Sequence, residues 1–175
     1  MAIHIIIDGY NLIRQSCTLS MLDQQDIQTG RDSLITLLAA YKKIKAHKIT
    51  VVFDGADAPV FSNQSDSMKG IKIKFSGQGE TADAVIKKMA SSEREKALVV
   101  TSDKDIINFV SSRGAATICS TEFEKKILMA DYMMVKGVRG EDEDENGWKP
   151  TTKKRGPKRR LSKKERQNRI KTKKL

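Results

Sequence analysis

Between residues 3 and 134, short apolar runs alternate with longer segments whose apolar residues recur at helical spacing. Ile3–Ile7, Ile49–Phe53 and Ala97–Val100 are apolar almost throughout, as strands buried on both faces must be. A shorter strand is expected at Thr117–Cys119. Ile71, Ile73 and Phe75 alternate with Lys72 and Lys74, which predicts a half-exposed strand at a sheet edge. One helical face is formed by Leu34, Leu37, Leu38, Tyr41 and Ile44 behind a capping-box pattern at Thr29–Asp32. Ala82, Val85, Ile86 and Met89 form a second. Ile106, Phe109 and Val110 form a third, behind Ser102–Asp105, and the Thr121–Glu124 pattern opens a last helix reaching about Met134. Asn11 is expected near the start of a helix, and Pro59–Gly70 reads as a polar loop. The alternation implies an α/β fold: a mainly parallel sheet between layers of helices.

Charge divides the chain differently. Lys149–Leu175 holds 14 of the 33 basic residues and one of the 22 acids, a net +13. Residues 1–148 hold the other 19 and 21, a net −2. The whole excess of the +11 chain therefore lies in a tail, reached through an acidic linker at 137–148 that contains Glu141–Glu145. With Gly156-Pro157 and few apolar residues, the tail cannot fold alone, and a disordered or helical segment is expected. Such a cation density favours counterion release from a polyanion. Lys153, Lys154, Arg155, Lys158, Arg159, Arg160, Lys163 and Lys164 are the candidate phosphate contacts. No apolar run is long enough to span a bilayer, and a cytoplasmic, membrane-free protein is expected. Cys17 and Cys119 lack metal-ligand spacing and are expected as reduced thiols in or near the core; His4 and His47 are isolated.

Acids recur where strand patterns stop or helix patterns start: Asp8 in IIIDGYN, Asp54 in VVFDGA, Glu80 and Asp83 in GETADAV, Asp103 and Asp105 in TSDKD. Strand ends of a parallel sheet converge on one edge, where ligands bind. Carboxylates gathered there repel unless a proton or cation lies between them. Hard divalent ions prefer such oxygen ligands, which points to Mg²⁺ or Mn²⁺ and a phosphodiester substrate. Each acid also has an ordinary role. Asp8 can start a turn that Gly9 makes tight, Glu80 and Asp83 can complement a helix dipole, and Asp105 fits a capping box with Ser102. Asp103 is not needed for that box and is the better ligand. The chain has no GxxxxGK[ST] and no GxGxxG after its first strand.

The ordered set HIIIDGYNLI, VVFDGA, GETADAVI, LVVTSDKDI and TICSTEFEKKI resembles the YacP-like branch of the NYN domains, among the PIN-like metal-dependent nucleases. The resemblance covers residues 1–134 and implies a three-layer α/β/α PIN-like domain over residues 1–136. It further implies an Mg²⁺- or Mn²⁺-dependent endoribonuclease acting on single-stranded or ribosome-associated RNA. By motif position Asp8, Asn11, Asp83 and Asp103 match the family's site, with Asp8, Asp83 and Asp103 as metal ligands. Glu80 and Asp105 are supporting members, and Ser120 stands where many PIN-like nucleases place another acid, with Glu122 nearby. The tail, 149–175, becomes an RNA-binding element. The alternative is a non-catalytic RNA- or ribosome-binding protein that keeps the fold.

Overall fold

The computed structural model describes residues 3–55, 65–135 and 162–175. Its elements are, in order, β1 (His4–Asp8), α1 (Gly9–Gln15), α2 (Cys17–Gln25), α3 (Ile27–Ile44), β2 (Lys48–Phe53), β3 (Ser65–Met68) and β4 (Ile71–Phe75). There follow α4 (Ala82–Glu93), β5 (Ala97–Val100), α5 (Lys104–Ser112), β6 (Ala116–Ile118), α6 (Ser120–Val135) and α7 (Lys163–Lys173). The sheet order is β3-β4-β2-β1-β5-β6, and only the β3–β4 pair is antiparallel. Among the described residues, no helix is long and apolar enough to cross a membrane.

Strand β1 lies in the middle, paired in parallel with β2 and β5. Its side chains divide between two cores, which is why its sequence is apolar without alternation. Ile5 and Ile7 pack with Leu34, Leu38, Tyr41, Phe53, Phe123 and Ile127, the layer of α3 and α6. Ile6 packs with Val85, Ile86, Val99, Ile106 and Val110, the layer of α4 and α5. Burying each such side chain contributes about 1.5–3 kcal/mol. His4 is the polar exception on β1, held by Glu93 Oε1 at 3.0 Å and Thr50 Oγ1 at 2.9 Å. Burial lowers its pKa below the ordinary histidine value, against the opposing hydrogen bond to Glu93; a neutral ring would donate from Nδ1 to Glu93 and accept from the Thr50 hydroxyl.

Several local expectations are corrected. Strand β4 is not an edge: β3, inside the segment expected as a loop, pairs outside it. The half-exposed pattern of β4 instead reflects a sheet covered on one face there, with Ile71, Ile73 and Phe75 buried and Lys72 exposed. Helix α3 starts before Thr29. Asp26 caps it, its Oδ2 accepting from Thr29 N at 2.7 Å and Thr29 Oγ1 at 2.8 Å. Helix α6 starts at Ser120, so Thr121 lies inside its first turn rather than capping it. Two short helices, α1 and α2, fill the stretch before α3; α2 buries only Leu19, which leaves too faint a periodicity to read. Cys17 and Cys119 are both exposed rather than near the core.

The described part of the basic tail is helical and docked. The Asn168 carboxamide accepts from Thr117 N at 2.8 Å and donates to Thr117 O at 3.1 Å, so it pairs with edge strand β6 as another strand would. Leu175 is buried, and its carbonyl accepts from the Tyr41 hydroxyl at 3.0 Å. Lys153, Lys154, Arg155, Lys158, Arg159, Arg160 and the linker 137–148 lie outside the described residues; Lys163 and Lys164 open α7.

Replacing Asn168 by Ala is expected to leave the Thr117 amide unpaired and to cost about 1–3 kcal/mol. A lowered melting temperature, with faster hydrogen exchange confined to β6 and α7, is the expected signature; exchange unchanged at Thr117 would mean the carboxamide does not hold the helix.

Candidate active site

Parallel pairing carries the carboxyl ends of β1, β2 and β5 to one edge of the sheet, and each is followed by an acid. Asp8 ends β1, Asp54 follows β2, and Asp103 lies three residues past β5. Asp8 and Asp103 stand beyond neighbouring strands whose following helices lie on opposite faces, the reversal at which α/β sheets open a crevice. Helix α4 adds Asp83 in its first turn, with Thr81 as the N-cap accepting from Ala84 N at 3.2 Å. These four carboxylates, with Tyr10, Asn11, Arg14, Gln15 and Ala82, line an open cavity of about 450 Å³.

The structure thus brings Asp8, Asn11, Asp83 and Asp103 together, and Asp54 with them. Glu80 and Asp105 are not among the lining residues. Glu80 precedes the α4 N-cap and is exposed. Asp105 is 92% exposed, and its Oδ2 lies 3.9 Å from Lys87 Nζ on α4. The expected box of Ser102 and Asp105 does not form. Asp103 itself caps α5, its Oδ1 accepting from Asp105 N at 2.7 Å and Ile106 N at 3.3 Å. Asp8 caps α1 in the same way, through Asn11 N at 3.2 Å. A carboxylate accepts about four hydrogen bonds, so capping through one oxygen does not exclude a ligand role.

Beneath the acids runs a set of fixed polar contacts. The Thr101 hydroxyl donates to Asp8 Oδ2 at 3.2 Å and accepts from Asp103 N at 3.1 Å, which couples the two acids. Asn11 Oδ1 accepts from Ser102 N at 2.9 Å and from the Ser120 hydroxyl at 2.8 Å. That carbonyl is therefore saturated, and the amide donors are what Asn11 can offer to the cavity it lines. Fully buried Ser120, at the position where the resemblance leads one to expect an acid, is thus a clamp for Asn11.

Tyr10 is a lining residue for which the sequence carries no signal. Its hydroxyl accepts from Arg31 Nε at 3.0 Å and from Arg31 Nη2. Buried Arg31 has its guanidinium 5.4–5.5 Å from the Tyr10, Phe53 and Phe75 rings. Gly9 meets the same aromatic cluster. A Cβ there would stand 2.3 Å from a Phe53 ring carbon, so glycine is required by close packing rather than by a tight turn. At Gly55 a Cβ would stand 2.0 Å from the Ser76 carbonyl oxygen, and Ser76 Oγ in turn donates to Asp54 Oδ1 at 3.4 Å. The repeated Asp-Gly pair thus lets a neighbouring side chain or backbone press against the residue after the acid.

Asp8 is 8% exposed, and its pKa is raised to about 6. Loss of hydration is the main cause. The bonds from Asn11 N and Thr101 oppose it, and repulsion from Asp83 and Asp103 adds to it. An ion pair with a bound cation would relieve both the repulsion and the desolvation. Among the described residues, no three His, Cys, Asp or Glu side chains are grouped tightly enough to enclose an ion by themselves. The four carboxylates and the open volume fit a hard cation that keeps several of its waters, as Mg²⁺ does; with no Cys or His among the lining residues, they do not fit zinc.

Comparison with known proteins bears on the family and the fold. A family model described as YacP-like NYN domain matches residues 5–173. The uncharacterized protein YacP of Bacillus subtilis is 25% identical over 138 residues, covering 77% of this chain and 81% of its own. A crystal structure described as Rae1 (YacP) from Bacillus subtilis is 26% identical, with a TM-score of 0.65, covering 79% of this chain and 80% of that one. A tryptophan-to-leucine mutant of that protein gives a TM-score of 0.65 at 25% identity, with 78% and 82% covered.

Because the folded pKa of Asp8 lies above its value of 3.8 in an open chain, folding opposes ionisation there. The protein therefore loses stability as pH rises from about 4 to about 6, and the penalty is constant above that. Asp8→Asn removes it. In metal-free buffer the variant is expected to be more stable than wild type by about 1–3 kcal/mol at pH 7.5 and no more stable below pH 4. Melting curves at the two pH values check this; an equal difference at both would place the cause elsewhere.

Proposed function

The chain belongs to the YacP-like NYN domain family, and from that membership we propose that it is an Mg²⁺- or Mn²⁺-dependent endoribonuclease. The observation that carries the reading is the gathering of Asp8, Asp54, Asp83 and Asp103 around one open cavity, where burial and the neighbouring acids Asp83 and Asp103 raise the Asp8 pKa. Family membership supports nuclease chemistry. A divalent ion held by Asp8, Asp83 and Asp103 would neutralise the scissile phosphate and lower the pKa of a bound water. The chain's own side chains do the rest. Thr101 fixes the Asp8 carboxylate beside Asp103. Asn11, clamped by Ser120 and Ser102 N, presents its amide donors to a phosphate oxygen. Asp54 belongs to the acidic wall, and Glu80 and Asp105 do not.

RNA is the proposed substrate, and the basic tail its tether. The body of the protein carries −2 and its cavity is acidic, so long-range attraction must come from the +13 segment. Helix α7 packs on β6, and this has a practical consequence. Deleting the tail would strip the sheet edge, so its role is better tested by neutralising charges than by truncation.

RNA cleavage is expected to require Mg²⁺ or Mn²⁺ and to stop with chelator. Asp8→Asn, Asp83→Asn and Asp103→Asn should each lower kcat/KM by about 10²–10⁴-fold with folding retained, and Glu80→Gln and Asp105→Asn by less than about tenfold. Undiminished cleavage in excess EDTA, or near-wild-type turnover in the first three variants, would leave the acids as caps and favour the non-catalytic RNA-binding reading.

Neutralising Lys153, Lys154, Arg155, Lys158, Arg159 and Arg160 with glutamine should weaken single-strand binding and flatten its salt dependence. The slope of log K against log[salt] should fall by up to about 4, at about 0.7 for each phosphate no longer neutralised. kcat at saturating RNA should stay the same, since binding made equally in ground and transition states does not speed the chemical step. An unchanged slope would remove the tail from RNA binding.

A further inference from the structure

One cation stands in the wall of the acidic cavity and has no part in the chemistry assigned to the acids. Arg14 lies in the last turn of α1 and is exposed. Its guanidinium carbon is 5.6 Å from the centroid of the Tyr10 ring, which Arg31 holds in place from below. Four carboxylates line the same cavity. Even so, among the described residues Arg14 makes no ion pair and no hydrogen bond. A cation present only to neutralise the acids would be paired with one of them. Instead a rigid aromatic platform carries a planar fork of donors that remains open. Such a fork matches the paired oxygens of a phosphate.

Asn11 and Arg14 are three residues apart, so they share one face of α1 about 5 Å apart along its axis. Asn11 is the residue beside Asp8; Arg14 is one turn further out. We propose that Arg14 binds the non-bridging oxygens of the phosphate next to the scissile one, and so sets the register of the substrate strand in the cavity. The ligand class is a phosphodiester strand, because a mononucleotide has no second phosphodiester to reach this position. The inference rests on the nuclease reading of the cavity and specifies how that site grips its substrate.

The test uses full-length wild type, Arg14→Ala, Arg14→Lys and Arg14→Gln. Substrates are short single-stranded RNAs in which one linkage at a time, scanned along the strand, is an uncharged methylphosphonate. Arg14→Ala and Arg14→Gln are expected to raise KM about tenfold or more, with kcat within about threefold and melting temperature unchanged; Arg14→Lys should recover part of the loss. A neutral linkage beside the cleavage site should weaken wild type by a similar factor and leave Arg14→Ala unaffected, because that variant has no guanidinium to meet the phosphate. KM within about twofold of wild type in Arg14→Ala, or a neutral-linkage penalty equal in both proteins, overturns the proposal. If wild type cleaves no RNA, the nuclease reading fails, and the binding arm still decides on Arg14. Asp8→Asn and Asp8→Asn/Arg14→Ala are then compared for binding of the unmodified strand against salt. A slope smaller by about 0.7 in the double variant supports the Arg14–phosphate pairing, and equal slopes overturn it.

Discussion

The site depends on one electrostatic constraint: a carboxylate ends a buried central strand of the sheet. Strand β1 is hydrogen-bonded on both edges and covered on both faces, so Asp8 at its end is largely cut off from water. Burying a charge without a partner is costly, and among the described residues Asp8 is given only hydrogen bonds from Asn11 N and Thr101, with two more acids nearby. The consequence is a raised pKa and a site that gains from any cation placed in it. Such a strained arrangement is what functional sites trade against stability.

The surroundings hold the acids in place rather than relieve them. Thr101 links Asp8 to Asp103, and Ser120 and Ser102 fix Asn11. Arg31 sits among three aromatic rings under the sheet end and fixes Tyr10. The glycines after Asp8 and Asp54 let Phe53 and the Ser76 backbone close in on these acids' turns. Each contact lowers the freedom of a side chain that would touch substrate, and preorganisation of this kind is where catalytic sites gain most of their effect.

Capping does not take these acids out of the cavity. Asp8 and Asp103 both cap helices, the ordinary role that spacing alone suggests for such acids. Yet both face the cavity. A helix that begins at a strand's carboxyl end has its N-cap at the rim of the crevice. The residue type that best caps the helix is thus also placed to hold a cation. Asp105 shows the converse: it is acidic and near in sequence, but its side chain points toward Lys87 and away from the site.

Periodicity by itself determined the layered α/β fold and the alternation of its buried strands with the helices α3 to α6, because a short continuous apolar run suits a strand covered on both faces. It also placed Asp8, Asp54, Asp83 and Asp103 at element ends, since polarity must return where a buried strand stops. Only the tertiary structure decided which acids share a cavity. Glu80 and Asp83 differ by three positions, and the turn at Thr81 points one toward Asp8 and leaves the other in solvent. The role of Arg31 carries no signal in the chain, because it comes from contacts with Tyr10, Phe53 and Phe75, all distant in sequence. Strand β3 was hidden for the same reason: SDSM has no apolar alternation, and its pairing is dictated by β4. The docking of α7 through Asn168 onto Thr117 joins residues 51 positions apart, and no local propensity encodes a side-chain amide completing a sheet edge.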